Sequence, residues 1–225
     1  MPEKVFVLVP PYRQTTDKAH KIEAEHATLL MELAREFEKD GRVISVNFPT
    51  GKDAMNSIRE RSDFLLDFLK HENLKGKDVV FVGHSLGAQV LKNCLGELDG
   101  MVGRNFTVVS IASMHSGQLV ERKGDKLNVR LQEQWRHEFQ NFKKNSDNPE
   151  VPKRCRLIEF HSLKDPAYRY ESSAKQVIMN LRSLLRRNTH IVRVKPDKRA
   201  GAFSSQHLFL GNEKKVAAKV VKHLK

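Results

Sequence analysis

At 225 residues the chain is long enough for one large domain with its own core, and 39% hydrophobic with 30% charged residues marks it as soluble and globular rather than disordered. No apolar run approaches the roughly 20 residues that span a bilayer, and two cysteines, Cys94 and Cys155, make neither a disulfide framework nor a thiolate zinc site. The net charge of +13 comes wholly from the last third: residues 1–150 carry 22 Lys/Arg against 22 Asp/Glu, residues 151–225 carry 18 against 5.

Val5 to Val9 is an uninterrupted apolar run, the mark of a strand buried on both faces, and Pro10-Pro11 stops it. Five apolar residues are also too few for a secretory signal, which with the two cysteines points to the reducing cytoplasm. Ile22, His26, Leu29, Leu30, Leu33 and Phe37 recur at three- and four-residue steps, predicting a helix closed by Gly41. A second strand is predicted over Val43 to Phe48, ended by Pro49. Ile58, Phe64, Leu65, Phe68 and Leu69 give the next helix, Asp78 to Val82 the third strand. A helix then runs through Val90, Leu91 and Leu95, and Phe106 to Ile111 is a fourth strand. Over 114–155 the rhythm breaks. Two polar stretches flank one helical stripe, Leu127, Leu131, Trp135, Phe139 and Phe142, so this segment reads as a crossover helix or a small lid-like insertion. The rhythm resumes with strand Leu157 to Phe160, helix Ser172 to Arg187, strand Ile191 to Val194 and a last helix through Val216, Val220, Val221 and Leu224. Alternating strands and helices predict one α/β domain over 1–225, a mainly parallel twisted sheet with helices on both faces.

The chemistry centres on Gly83-His84-Ser85-Leu86-Gly87, which fits G-x-S-x-G directly after a strand and directly before a helix. A sharp strand-to-helix turn lifts a serine hydroxyl clear of the sheet, and the helix N-terminus offers N–H groups and positive potential to a developing oxyanion. The plainer reading is a glycine-rich turn with an N-capping serine. A nucleophilic serine needs a base, and the base an orienting acid. Of ten histidines, His115 and His207 fall in loops where a cleft forms; the others sit in helices, strands or, as His84, inside the turn facing away. His207 lies between the last strand and the last helix, and Asp165 follows the strand Leu157 to Phe160. Both loops leave carboxyl ends of strands, where parallel sheets build their sites. The order Ser85, Asp165, His207 follows from this spacing, with His115 the second choice for the base.

These residues resemble a small α/β-hydrolase of the lipase, esterase and thioesterase type, over nearly the whole chain. Gly83 to Gly87 is similar to the family's nucleophile turn, and Ser85, Asp165 and His207 match its catalytic triad in chain order. Ser110 to Gly117 resembles the family's Pro-His-x-Gly stretch, with Met114 at the proline position and His115 as a loop-organising residue. Where the family has His-Gly or Pro-Gly after the first strand, this chain has Pro10-Pro11, and neither proline donates an N–H. The resemblance therefore implies an oxyanion hole from the backbone N–H groups of Tyr12 and Leu86. It implies a serine hydrolase acting on a small-molecule ester or thioester through an acyl-serine intermediate, with no metal or organic cofactor.

Other chemistries find little support. There is no G-x-x-x-x-G-K-[ST] loop, no G-x-G-x-x-G and no H-E-x-x-H. Cys94 falls on the core stripe of the helix after Ser85. Cys155 stands among Lys153, Arg154 and Arg156, a setting expected to favour the thiolate. The basic last third marks a surface for an anionic lipid or acidic substrate, or simply serves solubility. The alternative to an enzyme is a catalytically idle protein on this fold that binds an anionic partner through that third. A nucleic-acid binder is not expected, since no recognised motif is present.

Overall fold

The computed structural model describes residues 2–11, 19–49, 58–112, 151–161, 189–193 and 212–225. Among them the chain runs β1 (Lys4–Val9), α1 (Ala19–Phe37), β2 (Arg42–Ser45), α2 (Ile58–Lys70), β3 (Asp78–His84), α3 (Leu86–Asn93), α4 (Leu95–Val102), β4 (Phe106–Ile111), β5 (Cys155–His161), β6 (Thr189–Arg193) and α5 (Glu213–Leu224). The six strands form one sheet in the order β2-β1-β3-β4-β5-β6, and every neighbouring pair is parallel. Trp135 and the rest of the 127–142 stripe, and the helix expected over 172–187, lie outside the described residues.

The continuous apolar strands are buried on both faces. Val5, Val7 and Val9 of β1 join Val79 and Phe81 of β3 and the inward faces of α2, α3 and α4. Phe6 and Leu8 join Val80, Val82, Ile158 and Phe160 against α1 and α5. Phe6 stacks on Phe37 of α1 at 4.2 Å, which fixes the end of that helix against the first strand. Each layer is thus specified by the parity of the strand residues, and a one-residue slip would exchange the two cores.

The strand order places a switch point. From β1 the chain steps outward to β2, then returns over β1 to β3 and continues through β4 and β5. The crossovers on the two sides diverge at the carboxyl ends of β1 and β3, and open parallel sheets form their crevice at such a point. Pro10-Pro11 leaves β1 there, and Ser85 leaves β3 there.

Strands β5 and β6 each begin two residues earlier than the sequence suggests, at Cys155 and Thr189, and two elements depart further. The second strand ends at Ser45 rather than Phe48, although the Val46 N–H still donates to Leu8 O at 2.9 Å. The helix through Val90, Leu91 and Leu95 is two helices. It breaks at Cys94 (φ −124°, ψ 24°), whose N–H turns back to Leu91 O, three residues earlier instead of four. No helix among the described residues is long and apolar enough to cross a membrane.

Candidate active site

Ser85 joins β3 to α3 with φ 53° and ψ −116°. An L-residue at positive φ crowds its Cβ against the backbone, a conformation that costs roughly 1–3 kcal/mol and persists only where its surroundings enforce it. Two hydrogen bonds enforce it here. The Ser85 N–H donates to Ile111 O on β4 at 2.8 Å, and the Ala88 N–H donates back to Ser85 O at 3.2 Å. The turn is also closed by missing side chains. A Cβ on Gly83 would stand 2.6 Å from the backbone N of Ala88, and a Cβ on Gly87 would meet the Val9 carbonyl and stand 2.5 Å from Pro10 O. Glycines at these positions let the first turn of α3 press on the end of β1.

The turn speaks against a capping role for the serine. The Ser85 side chain makes no capping hydrogen bond to α3. Ser85 is 7% exposed, and its strained backbone is not what an N-cap residue requires. Ser85→Gly should unfold at higher urea than Ser85→Ala, by about 1 kcal/mol, because only glycine occupies positive φ without penalty. An alanine variant as stable as the glycine variant would show a relaxed turn.

Leu86 is the first residue of α3, and its N–H therefore has no acceptor within the helix. It adds to the field of the helix N-terminus beside Ser85. His84 is fully buried and shares the strand parity of Val80 and Val82, which pack toward α1 and α5. Of the other expected site residues, Tyr12, Asp165, His207 and the second-choice base His115 lie outside the described residues. Pro10 and Pro11 are described, and Pro10 lies against Gly87 in the first turn of α3.

Both thiols are inert in this setting. Cys94 is buried at the break between α3 and α4, its Sγ 3.1 Å from Val90 O, and burial pushes its thiol well above the usual range. The expectation of a thiolate at Cys155 is overturned. Cys155 is fully buried at the start of β5, and desolvation, reinforced by the negative charge of Asp99, pushes its thiol up to about 12. The flanking cations point elsewhere. Arg154 is paired with Asp99 at 2.6 Å, and Arg156 donates to His223 O at 3.1 Å. Sequence proximity to positive charge did not become spatial proximity, because neighbours in a strand alternate faces.

The sequence reading missed a buried polar layer beside α3. Lys92 and Glu159 form an ion pair, 5% and 0% exposed, and Gln89 and Ser110 are fully buried near them. The signal was available in Glu159, the one acidic residue in the apolar run Leu157 to Phe160.

No protein-family model matches the sequence, and no curated protein matches it. Solved structures do match. The mouse alpha/beta hydrolase domain-containing protein 10 superposes with a TM-score of 0.60 at 13% identity, over 98% of this chain and 89% of its own. An alpha-beta serine hydrolase homologue from Coxiella burnetii gives 0.58 at 14% identity, over 99% and 85%. The type II thioesterase BorB of the borrelidin biosynthetic cluster gives 0.62 at 14% identity, over 99% and 91%. The fold is that of the α/β-hydrolases. In this fold the Ser85 turn occupies the carboxyl end of a central strand, at the switch point where β1 and β3 part.

Proposed function

We propose that the protein is a serine hydrolase that cleaves a small-molecule carboxylic ester or thioester. The observation that carries this reading is the Ser85 turn: a non-glycine residue held at positive φ between a strand and a helix N-terminus, with its hydroxyl not used as a cap. Backbone strain that the fold works to maintain is characteristic of functional positions. The hydrolases and thioesterases among the structural neighbours agree with it.

In this reading His207 removes the Ser85 proton as the oxygen attacks the substrate carbonyl. Asp165 holds the imidazole in the required tautomer and stabilises the imidazolium. The oxyanion is met by the N–H groups of Leu86 and Tyr12. Collapse of the tetrahedral species breaks the bond to the leaving alcohol or thiol, which takes the proton from His207. Water then attacks the acyl-serine by the same route and releases the acid. The segment 114–155, whose last residue Cys155 already opens β5, is read as a small insertion or lid-like segment of the single domain, its apolar stripe part of the acyl site's wall. The protein acts in the cytoplasm. The test is a fluorophosphonate probe, which labels activated serines. Wild type should be labelled and Ser85→Ala should not; an unlabelled wild type would sink the enzyme reading.

One observation favours a second reading, an idle hydrolase fold that binds an anionic partner. Elsewhere on the described surface, charges are widely paired, as in Arg42 with Glu3 and Glu72, Lys70 with Asp67 and Arg154 with Asp99. On α5 and the C-terminal residue, Lys214, Lys215, Lys222 and Lys225 are exposed and pair with no acid among the described residues. Each lysine near an anionic lipid surface contributes roughly 1 kcal/mol. Changing all four to Gln should therefore weaken binding to phosphatidylserine vesicles by up to about 1000-fold at low salt, and added salt should do the same to the wild type. Vesicle binding that ignores both changes would remove this surface from consideration.

A further inference from the structure

The helix α3 is short, eight residues or roughly 12 Å, and Ser85 stands at its leading end. Any tilt or rotation of so short an element moves the serine directly. Its leading turn is held by the close approach of Gly87 to Val9 and Pro10. On one flank it is tied to α2: the Asn93 amide donates to Ser62 Oγ at 3.1 Å, and Ser62 Oγ lies 3.4 Å from Val90 O. Its last turn carries a different kind of tie. There Lys92, 5% exposed, is ion-paired with Glu159 of β5, which is fully buried. Glu159 is the register partner of Ser110 on β4, and Ser110 is the partner of Gly83 on β3. The bond therefore reaches from α3 past β4 to the strand beyond it.

Stability alone does not account for such a pair. Withdrawing two charges from water costs several kcal/mol per ion, and apolar side chains of similar volume often serve as well or better. An ion pair differs from apolar contact in direction: it fixes one helix face at one strand position. We propose that Lys92 and Glu159 are positioning residues for the Ser85 turn, locking the rotation of α3 over β4 and β5 so that the serine keeps its strained conformation. The part of this inference that concerns reactivity rests on the reading of Ser85 as nucleophile; the part that concerns the turn's geometry does not.

The test separates positioning from mere stability. Lys92→Met and Glu159→Leu, made singly, each break the buried ion pair while keeping one of its charges, and each should lower Tm by roughly 6–20 °C. The double variant Lys92→Met/Glu159→Leu removes both charges and should melt within a few degrees of wild type. In that folded double variant the Ser85 amide, bonded to Ile111 O, should exchange its hydrogen at least tenfold faster than in wild type, while the amide of Phe81 in the middle of β3 is unchanged. Fluorophosphonate labelling of Ser85 should slow by a similar factor. A double variant whose Ser85 amide and labelling rate both match wild type would overturn the proposal and leave the pair a replaceable contact. Single variants that melt like wild type would overturn it too. If wild type itself resists the probe, the nucleophile reading fails, and the Ser85 amide exchange still decides the role of the pair.

Discussion

Ser85→Ala and His207→Ala are each expected to remove nearly all ester hydrolysis, on the order of a 10⁴- to 10⁶-fold fall in kcat, and the double variant is expected to be little worse than either. The reason is that nucleophile and base act as one unit. Once the hydroxyl is gone the imidazole has no proton to take, and once the imidazole is gone the hydroxyl is a poor nucleophile at neutral pH. Losses that multiply in the double variant would contradict the assignment. Asp165→Asn should fold normally and lose about 10⁴-fold, because an amide stabilises the wrong imidazole tautomer. If His115→Ala proves as damaging as His207→Ala, the base belongs to His115 instead. Steady-state kinetics on a short neutral ester, with circular dichroism to verify folding, reads all of these outcomes.

Gly87→Val is expected to damage both the fold and the site. Its Cβ would fall against the carbonyl of Val9 and 2.5 Å from that of Pro10, backbone atoms fixed by the β1 ladder and the double proline. A flexible side chain can move aside; these cannot. Overpacking of this kind costs about 3 kcal/mol, which for a chain of this size lowers Tm by roughly 6–12 °C. The clash would part α3 from the end of β1, so fluorophosphonate labelling should fall further than the loss of folded protein accounts for. Gly87→Ala should do the same more mildly, since it lacks the two γ-methyl groups. A valine variant that melts within about 2 °C of wild type would mean that the helix and the strand do not meet so closely.

Much of the framework is legible in the residues. The six strands appear as β-rich runs, and β1, β3 and β4 as apolar ones, because a strand covered on both faces has little room for polar side chains. Helices α1, α2 and α5 appear as stripes at helical spacing, because each offers one face to the sheet. The Ser85 turn is legible because two glycines, a serine and a strand-to-helix junction must occur together for it to form. Cys155 was misread for the opposite reason. Its basic neighbours in sequence are not its neighbours in space, and burial outweighed them. The break at Cys94 was invisible because the apolar stripe continues through α4 on the same buried side.

By itself, then, the sequence determined the α/β alternation, the burial of the first strand and the place of Ser85 between β3 and α3, all of which depend on residues close along the chain. Only the tertiary structure decided the strand order β2-β1-β3-β4-β5-β6, which brings the end of β1 against Gly87, and the pairing of Lys92 with Glu159. Those are contacts between residues some 65 to 80 positions apart. No local periodicity encodes them, because they arise where separate crossovers pack on the same sheet and bury a charge only in the presence of its partner.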